Sequence, residues 1–342
     1  MKRLVLFVAL FIVLAVAGIV YGVRKSGVTL ADAGVLWTLP VGTLVVLGLL
    51  CVAFYLADMV RYRVVGRAVG EHVSWRACFD ATVANFFFSW ITPGAALGAP
   101  AAIVMLGRHG VSWDAAALIA FGKSLTGTTV LILLAFAMLA LGLGPDLDAG
   151  TLVVFTTGIG VVAAMLMVPI IGAIWPAASL RGIERFERWL LRRRMLAGER
   201  AQRVVTKLCG ALRGAIDRLA KLRQGGAPSA VWILLAHLAN LAVLVAIATV
   251  LARAFGATSM PQAVGISTVY AAFTYVAPTP GGAGISEAAG PMFYASVLSP
   301  RDAVLVVLVF RALTFYLHIV VGIVYLGVVG GTRQILERKA RT

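Results

Sequence analysis

Hydrophobic residues fall in runs of about 20, the length of helix that crosses a hydrocarbon core of roughly 30 Å. Such runs occupy residues 4–23, 38–60, 114–143, 150–175, 229–254 and 302–328, and each predicts a full span. Two further apolar stretches, 76–107 and 261–298, are interrupted part-way. The first breaks at Thr92-Pro93-Gly94, the second at Pro278-Thr279-Pro280-Gly281-Gly282-Ala283-Gly284. Proline removes a backbone donor and clashes with the preceding turn, so neither stretch can be one unbroken helix. In lipid, the freed backbone groups survive only where protein or a watery cavity supplies partners. Basic residues flank the first stretch at both ends (Arg76, then Arg108 and His109), which predicts two half-length helices entering and leaving on one side. The expected fold class is all-α: a polytopic helical membrane protein with six full spans and two re-entrant broken-helix hairpins.

The two broken stretches are also related to each other. Thr92-Pro93-Gly94 is followed by Asp114 and then Lys123-Ser-Leu-Thr126; Thr279-Pro280-Gly281 is followed by Asp302 and then Arg311-Ala-Leu-Thr314. Asp114 to Lys123 and Asp302 to Arg311 are both nine residues, and the breaks precede the cations by 30 and 31. This is an internal repeat, with units at 76–143 and 261–328. Three predicted spans separate the units, and an odd number inverts the second relative to the first. Inverted repeats whose broken helices meet near the midplane are typical of alternating-access transporters.

Charge adds orientation. The chain of 342 residues carries a net +16 with only 13% charged residues. Its basic groups sit between apolar runs: Lys2 and Arg3, Arg61 to Arg76, Arg181 to Arg223 (thirteen Lys or Arg against four acids), and Arg333 to Arg341. That distribution follows the positive-inside rule, placing both termini in the cytoplasm, and argues against nucleic acid as the partner. Segment 179–224 has apolar residues at 204, 205, 208, 212, 216, 219 and 222 beneath a basic face. Such a helix lies on an anionic leaflet, packs under the bundle, or forms a helical connector with a solvated face. Three unpaired cysteines and four scattered histidines suggest neither disulfide, metal nor cofactor.

Candidate chemistry concentrates at the breaks and the repeat cations. Lys123 and Arg311 stand about nine residues inside their spans, where a cation costs roughly 2.5–3.5 kcal/mol on insertion scales. Each should be offset by an anion: Glu287, Asp80 or a lipid phosphate, with snorkelling to an interface as the alternative. Glu287 is open as ion-pair partner, proton carrier or contact to a head group. Half-helix N-termini after Gly94 and Gly282 would present N–H groups to a phosphate. Asp114 and Asp302 suggest N-caps, and Asp58 and Asp80 are weaker candidates for pairing with arginines such as Arg61. The substrate-binding set is Lys123, Arg311, Glu287, Thr279, Pro280, Gly281, Gly282, Gly284, Ser286, Pro93 and Gly94. No nucleophile elbow, paired carboxylates or nucleotide loop emerges, so a transporter is expected rather than an enzyme.

Pro278-Thr-Pro-Gly-Gly-Ala-Gly-Ile-Ser-Glu287 resembles the Pro-x-Pro-Gly-Gly-x-Gly-x-x-Glu hallmark of the lysylphosphatidylglycerol synthase transmembrane family, the flippase-like domain proteins. The first-half counterpart, Pro93-Gly94-Ala-Ala-Leu-Gly98-Ala99, keeps the break and Gly98 but carries Ala99 where that family commonly has glutamate. The resemblance implies a helical bundle with re-entrant segments that moves an aminoacylated or glycosylated lipid between leaflets of the bacterial inner membrane. It implies membrane lipids with anionic or modified head groups as partners, and a separate lipid-modifying enzyme, since no soluble aminoacyl-transferase stretch is present. A homo-oligomer is compatible with this reading. The alternative is a membrane scaffold for a lipid-modifying or glycosyl-transferring enzyme.

Overall fold

The computed structural model describes residues 34, 39–92, 94–146, 150, 175–192, 227–277 and 279–327, with individual residues of 152–174 and 202–214. Its elements are all helical: α1 (Val41–Ala68), α2 (Trp75–Trp90), α3 (Gly98–Arg108), α4 (Trp113–Ala140), α5 (Pro176–Arg192), α6 (Ala227–Ala254), α7 (Met260–Val276), α8 (Ile285–Tyr294) and α9 (Pro300–Arg311). A π-helical turn, Ala312–Tyr316, continues α9, and the helix then runs on to Gly327.

Among the described residues, four helices are long and apolar enough to cross a membrane: Val41–Ala68, Trp113–Ala140, Ser229–Ala254 and Pro300–Gly327. This is a multi-pass membrane protein. The expected span 4–23 lies outside the described residues, and 150–175 is described only in part. One boundary needs correcting. The second span runs on to Ala68, so Arg61, Arg63 and Arg67 belong to a helix and not to a cytoplasmic loop. Arg61 is buried, and a buried acid three residues earlier lets the helix carry it inward.

Both interrupted stretches form hairpins of short helices. In the first, Gly98 abuts Asn85 and Ser89, while His109 lies 2.8 Å from Asp80, so α2 and α3 run antiparallel. In the second, Tyr270 reaches Ser286 and Ser267 reaches Tyr294, which makes α7 and α8 antiparallel too. At 1.5 Å per residue each half is at most roughly 26 Å long, short of a full crossing. The order short helix, shorter helix, long helix then recurs: 16, 11 and 28 residues in the first unit, 17, 10 and 28 in the second.

The apolar core falls into two clusters. The first gathers α1, α2, α3 and the start of α4 around small residues, among them Ala77, Ala81, Ala102, Ala116 and Ala120. With lipid outside, close backbone approach replaces the hydrophobic effect as the packing force, and alanine permits it. The second joins α6, α7, α8 and α9 around Tyr270, Phe273, Phe293 and Phe310, and takes in Phe54 of α1, Phe86 and Trp90 of α2 and Leu131 of α4. Caps at the helix starts come from serines: Ser74 accepts from the N–H of Ala77, and Ser299 from that of Asp302. The expected caps Asp114 and Asp302 instead lie in the first turn, each just inside a serine N-cap. A serine hydroxyl at that place reaches the first free N–H groups, and the aspartate complements the helix dipole from within.

Arg213 pairs with Glu187 of α5 at 2.9 Å, and Gly214 lies against Asp114 at the start of α4.

Candidate functional site

The breaks are built by local chemistry. At the end of α2, Thr92 donates to the Phe88 carbonyl at 2.5 Å and accepts from the Leu97 N–H at 3.2 Å, closing the loop on itself. Gly94 and Ala95 both take left-handed backbone angles here (φ 58° and 55°). In the second hairpin, the N–H groups of Gly282 and Ala283 donate to the Thr279 and Pro280 carbonyls. Gly281 and Gly282 (φ 55° and 70°) need glycine twice over. A methyl on Gly281 would overlap the Phe315 ring, and one on Gly282 would meet Ser286 Oγ and the Thr274 carbonyl. Pro93 and Pro278 lie outside the described residues.

The two breaks face one cavity of about 210 Å³. Gly94, Ala95, Ala96 and Ala99 border it from the first hairpin, and Thr274, Tyr275, Ala277, Gly281 and Gly282 from the second. It reaches the surface beside Gly94–Ala96, Phe121 and Tyr275, which are exposed. Its volume far exceeds the ~10–15 Å³ that one water needs, and its wall carries polar groups to bind water. Ala99, at the place where the first-half motif of the family carries glutamate, is part of that wall.

Lys123 lines the cavity and is 2% exposed, paired within the protein. Its Nζ lies 2.8 Å from both carboxylate oxygens of Asp58 and 4.1 Å from the Tyr62 ring centre. Asp58 also accepts from Arg61 Nη1 at 2.9 Å and from Thr82 Oγ1 at 3.0 Å. Arg61 goes on to Asn240 Oδ1 at 2.8 Å and to the Lys123 carbonyl at 3.1 Å, where His237 also arrives. Helices α1, α2, α4 and α6 thus meet at one polar knot. Gly127, one turn beyond Lys123, makes room for it: a Cβ there would overlap the Arg61 guanidinium. The knot holds two cations and one anion, a net charge of +1.

Arg311 has a different place. Its Nε donates to Glu287 Oε1 at 2.8 Å, and Glu287 Oε2 accepts the Gly284 N–H at 2.8 Å. The guanidinium stacks on Phe315 at 3.9 Å, inside the π-helical turn. Both partners are at most 2% exposed, and neither lines the cavity. Glu287 therefore serves as ion-pair partner and helix cap together, offsetting the N-terminal dipole of α8 with its own carboxylate. Ser286 is buried beside it, and Thr279 Oγ1 turns inward to the Ala283 carbonyl.

The structure thus brings Lys123, Gly94, Gly281 and Gly282 together on the cavity, and sets Arg311, Glu287, Gly284 and Ser286 behind it. Asp80, a candidate partner for both repeat cations, is taken by His109 and Tyr325. Asp58 and Arg61 were weak candidates in the sequence, and Asn240, His237 and Thr82 carried no signal there. The available clue was Asp58-x-x-Arg61, one turn apart in an otherwise apolar helix. The polar residues of α6 stand more than a hundred positions from Lys123, and only the fold unites them.

A family comparison decides the identity. The chain matches the model described as the lysylphosphatidylglycerol synthase TM region over residues 4–322. It belongs to this family. Membership makes it a membrane domain related to lipid modification or translocation, in agreement with the motif at Pro278–Glu287. No curated protein and no solved structure matches the chain.

Proposed function

We propose that this protein is a lipid translocase of the bacterial inner membrane. A lipid head group passes between leaflets through the cavity while its acyl chains stay in the bilayer. One observation carries this reading: the breaks of both hairpins border one cavity whose wall holds the buried cations Lys123 and Arg61. Broken helices around a charged pocket at depth are the architecture by which alternating-access transporters hold polar cargo. In this reading the hairpins are re-entrant and enter from opposite faces, as the inverted repeat implies, and both termini are cytoplasmic. Six spans complete the bundle.

Transport fits the wall better than covalent chemistry does. Asp58 is the one carboxylate among the described lining residues, and Lys123, Arg61 and Thr82 already occupy it. A general acid or base needs a proton to exchange with substrate, and both oxygens of this carboxylate are already engaged by protein donors. In this reading the cargo is a membrane lipid, and any modification of its head group is made by a separate enzyme.

The test is reconstitution. The purified chain in liposomes should move fluorescent phospholipid from the inner leaflet to the outer, where an impermeant quencher reads it. Movement no faster than in protein-free liposomes would overturn the translocase, and co-purification of a lipid-modifying enzyme would then favour a scaffold.

A further inference from the structure

We propose that the cavity selects a net-anionic phosphodiester head group, plain or glycosylated, and rejects an aminoacylated, cationic one. This rests on the translocase reading and names its cargo. The site that would take the phosphate is Arg61 together with Trp90, beside Lys123.

The first observation is the charge balance. Lys123 and Arg61 line the cavity with Asp58 as their one counter-charge, leaving one positive charge in a buried setting. Ala99, on the same wall, adds none. Inside a protein, unbalanced charge is felt far more strongly than in water, so an anion is drawn in and a second cation is repelled.

The second observation is a set of donors with nothing to bond. Arg61 has five N–H donors; three bonds account for Nη1 and Nη2, while Nε is buried without a partner. The indole Nε1 of Trp90, also on the cavity wall, is likewise buried without a partner. Both residues are more than nine-tenths buried. A buried donor left unpaired is costly, and a phosphate oxygen is the acceptor that suits a guanidinium best.

The third observation is the absence of a place for an amine. An aminoacyl head group brings ammonium groups that need carboxylates once they leave water. Asp58 has all its bonding directions occupied, and the other lining residues described are neutral or cationic.

The experiment uses the full chain in detergent micelles and measures binding of three probes: dihexanoylphosphatidylglycerol, its lysylated form, and inorganic phosphate. The phosphatidylglycerol should bind at least tenfold more tightly than the lysylated lipid. R61K keeps the charge but loses the guanidinium, and it should weaken phosphatidylglycerol binding about tenfold. W90F keeps the ring and loses the N–H, and it should weaken binding several-fold with the chain still folded. Equal or tighter binding of the lysylated lipid, or wild-type affinity in both variants, would overturn the assignment. Inorganic phosphate binding as tightly as the lipid would support the anion site while overturning its lipid cargo. Lipid movement in liposomes that prefers the lysylated form would sink this inference and leave the translocase standing, whereas selective binding without movement would do the reverse.

Discussion

Lys123 Nζ sits 2.8 Å from each carboxylate oxygen of Asp58, a residue 65 positions earlier in the chain. The contact ties α4 to α1 at the depth of the cavity, with both side chains almost wholly buried. Removing one partner of such a pair strands the other charge and costs about 3–5 kcal/mol, whereas replacing both by uncharged groups is often neutral. Asp58→Asn should therefore lower the thermal stability of the detergent-solubilised protein sharply. Asp58→Asn combined with Lys123→Met should recover part of the loss, since Arg61 still lacks its counter-charge. Equal stability of the single and double variants would contradict the pairing.

Arg311 and Glu287 repeat this logic in the second unit, away from the cavity. Glu287→Gln keeps an oxygen for the Gly284 N–H but removes the charge facing Arg311. The expected result is a loss of about 3–5 kcal/mol in folding stability, with recovery on adding Arg311→Met. If the pair binds cargo directly, the single variant would fold as wild type and fail only in head-group binding. Thermal unfolding and binding, measured on one preparation, separate the two.

Gly127 gives a test that leaves every charge in place. Alanine there would collide with the Arg61 guanidinium, while Gly122 in the same helix has nothing within 4 Å of its would-be Cβ. Gly122→Ala should be neutral or stabilising by about 0.5–1 kcal/mol, as at a helical site with open space for the methyl. Gly127→Ala should displace Arg61 and weaken phosphatidylglycerol binding several-fold. Indistinguishable binding in the two variants would show that Arg61 does not hold the head group.

Ala99→Glu would place a carboxylate on the cavity wall and bring the net charge of the knot to zero. The ratio of lysylated to plain phosphatidylglycerol binding should then rise at least tenfold. A ratio unchanged from wild type in a folded variant would mean that charge balance does not set selectivity.

Much of this architecture is legible in the sequence because it depends on local chemistry. Pro93, Pro280 and the glycines at 94, 281 and 282 forbid continuous helices whatever surrounds them. Lys123 and Arg311 stand out because charge is rare in apolar runs. What surrounds those cations was harder to see. Arg61 reads as a loop residue under the positive-inside rule, since a helix that draws an arginine inward looks in sequence like a helix that has already ended. Glu287 stays open among three roles because its partner lies 24 residues on, in the next helix. The π-helical turn after Arg311 left no mark at all, because Ala-Leu-Thr-Phe-Tyr is ordinary helical sequence.

The central claim is that the cavity between the two breaks opens to each side of the membrane in turn. Ala95 and Ala277 line it from opposite hairpins. With Cys51, Cys78 and Cys209 replaced, Ala95→Cys and Ala277→Cys can be probed by a membrane-impermeant thiol reagent in right-side-out and inverted vesicles. Labelling of both cysteines from both faces, slowed by added phosphatidylglycerol, is the expected result. Labelling of each from one face alone would contradict the account.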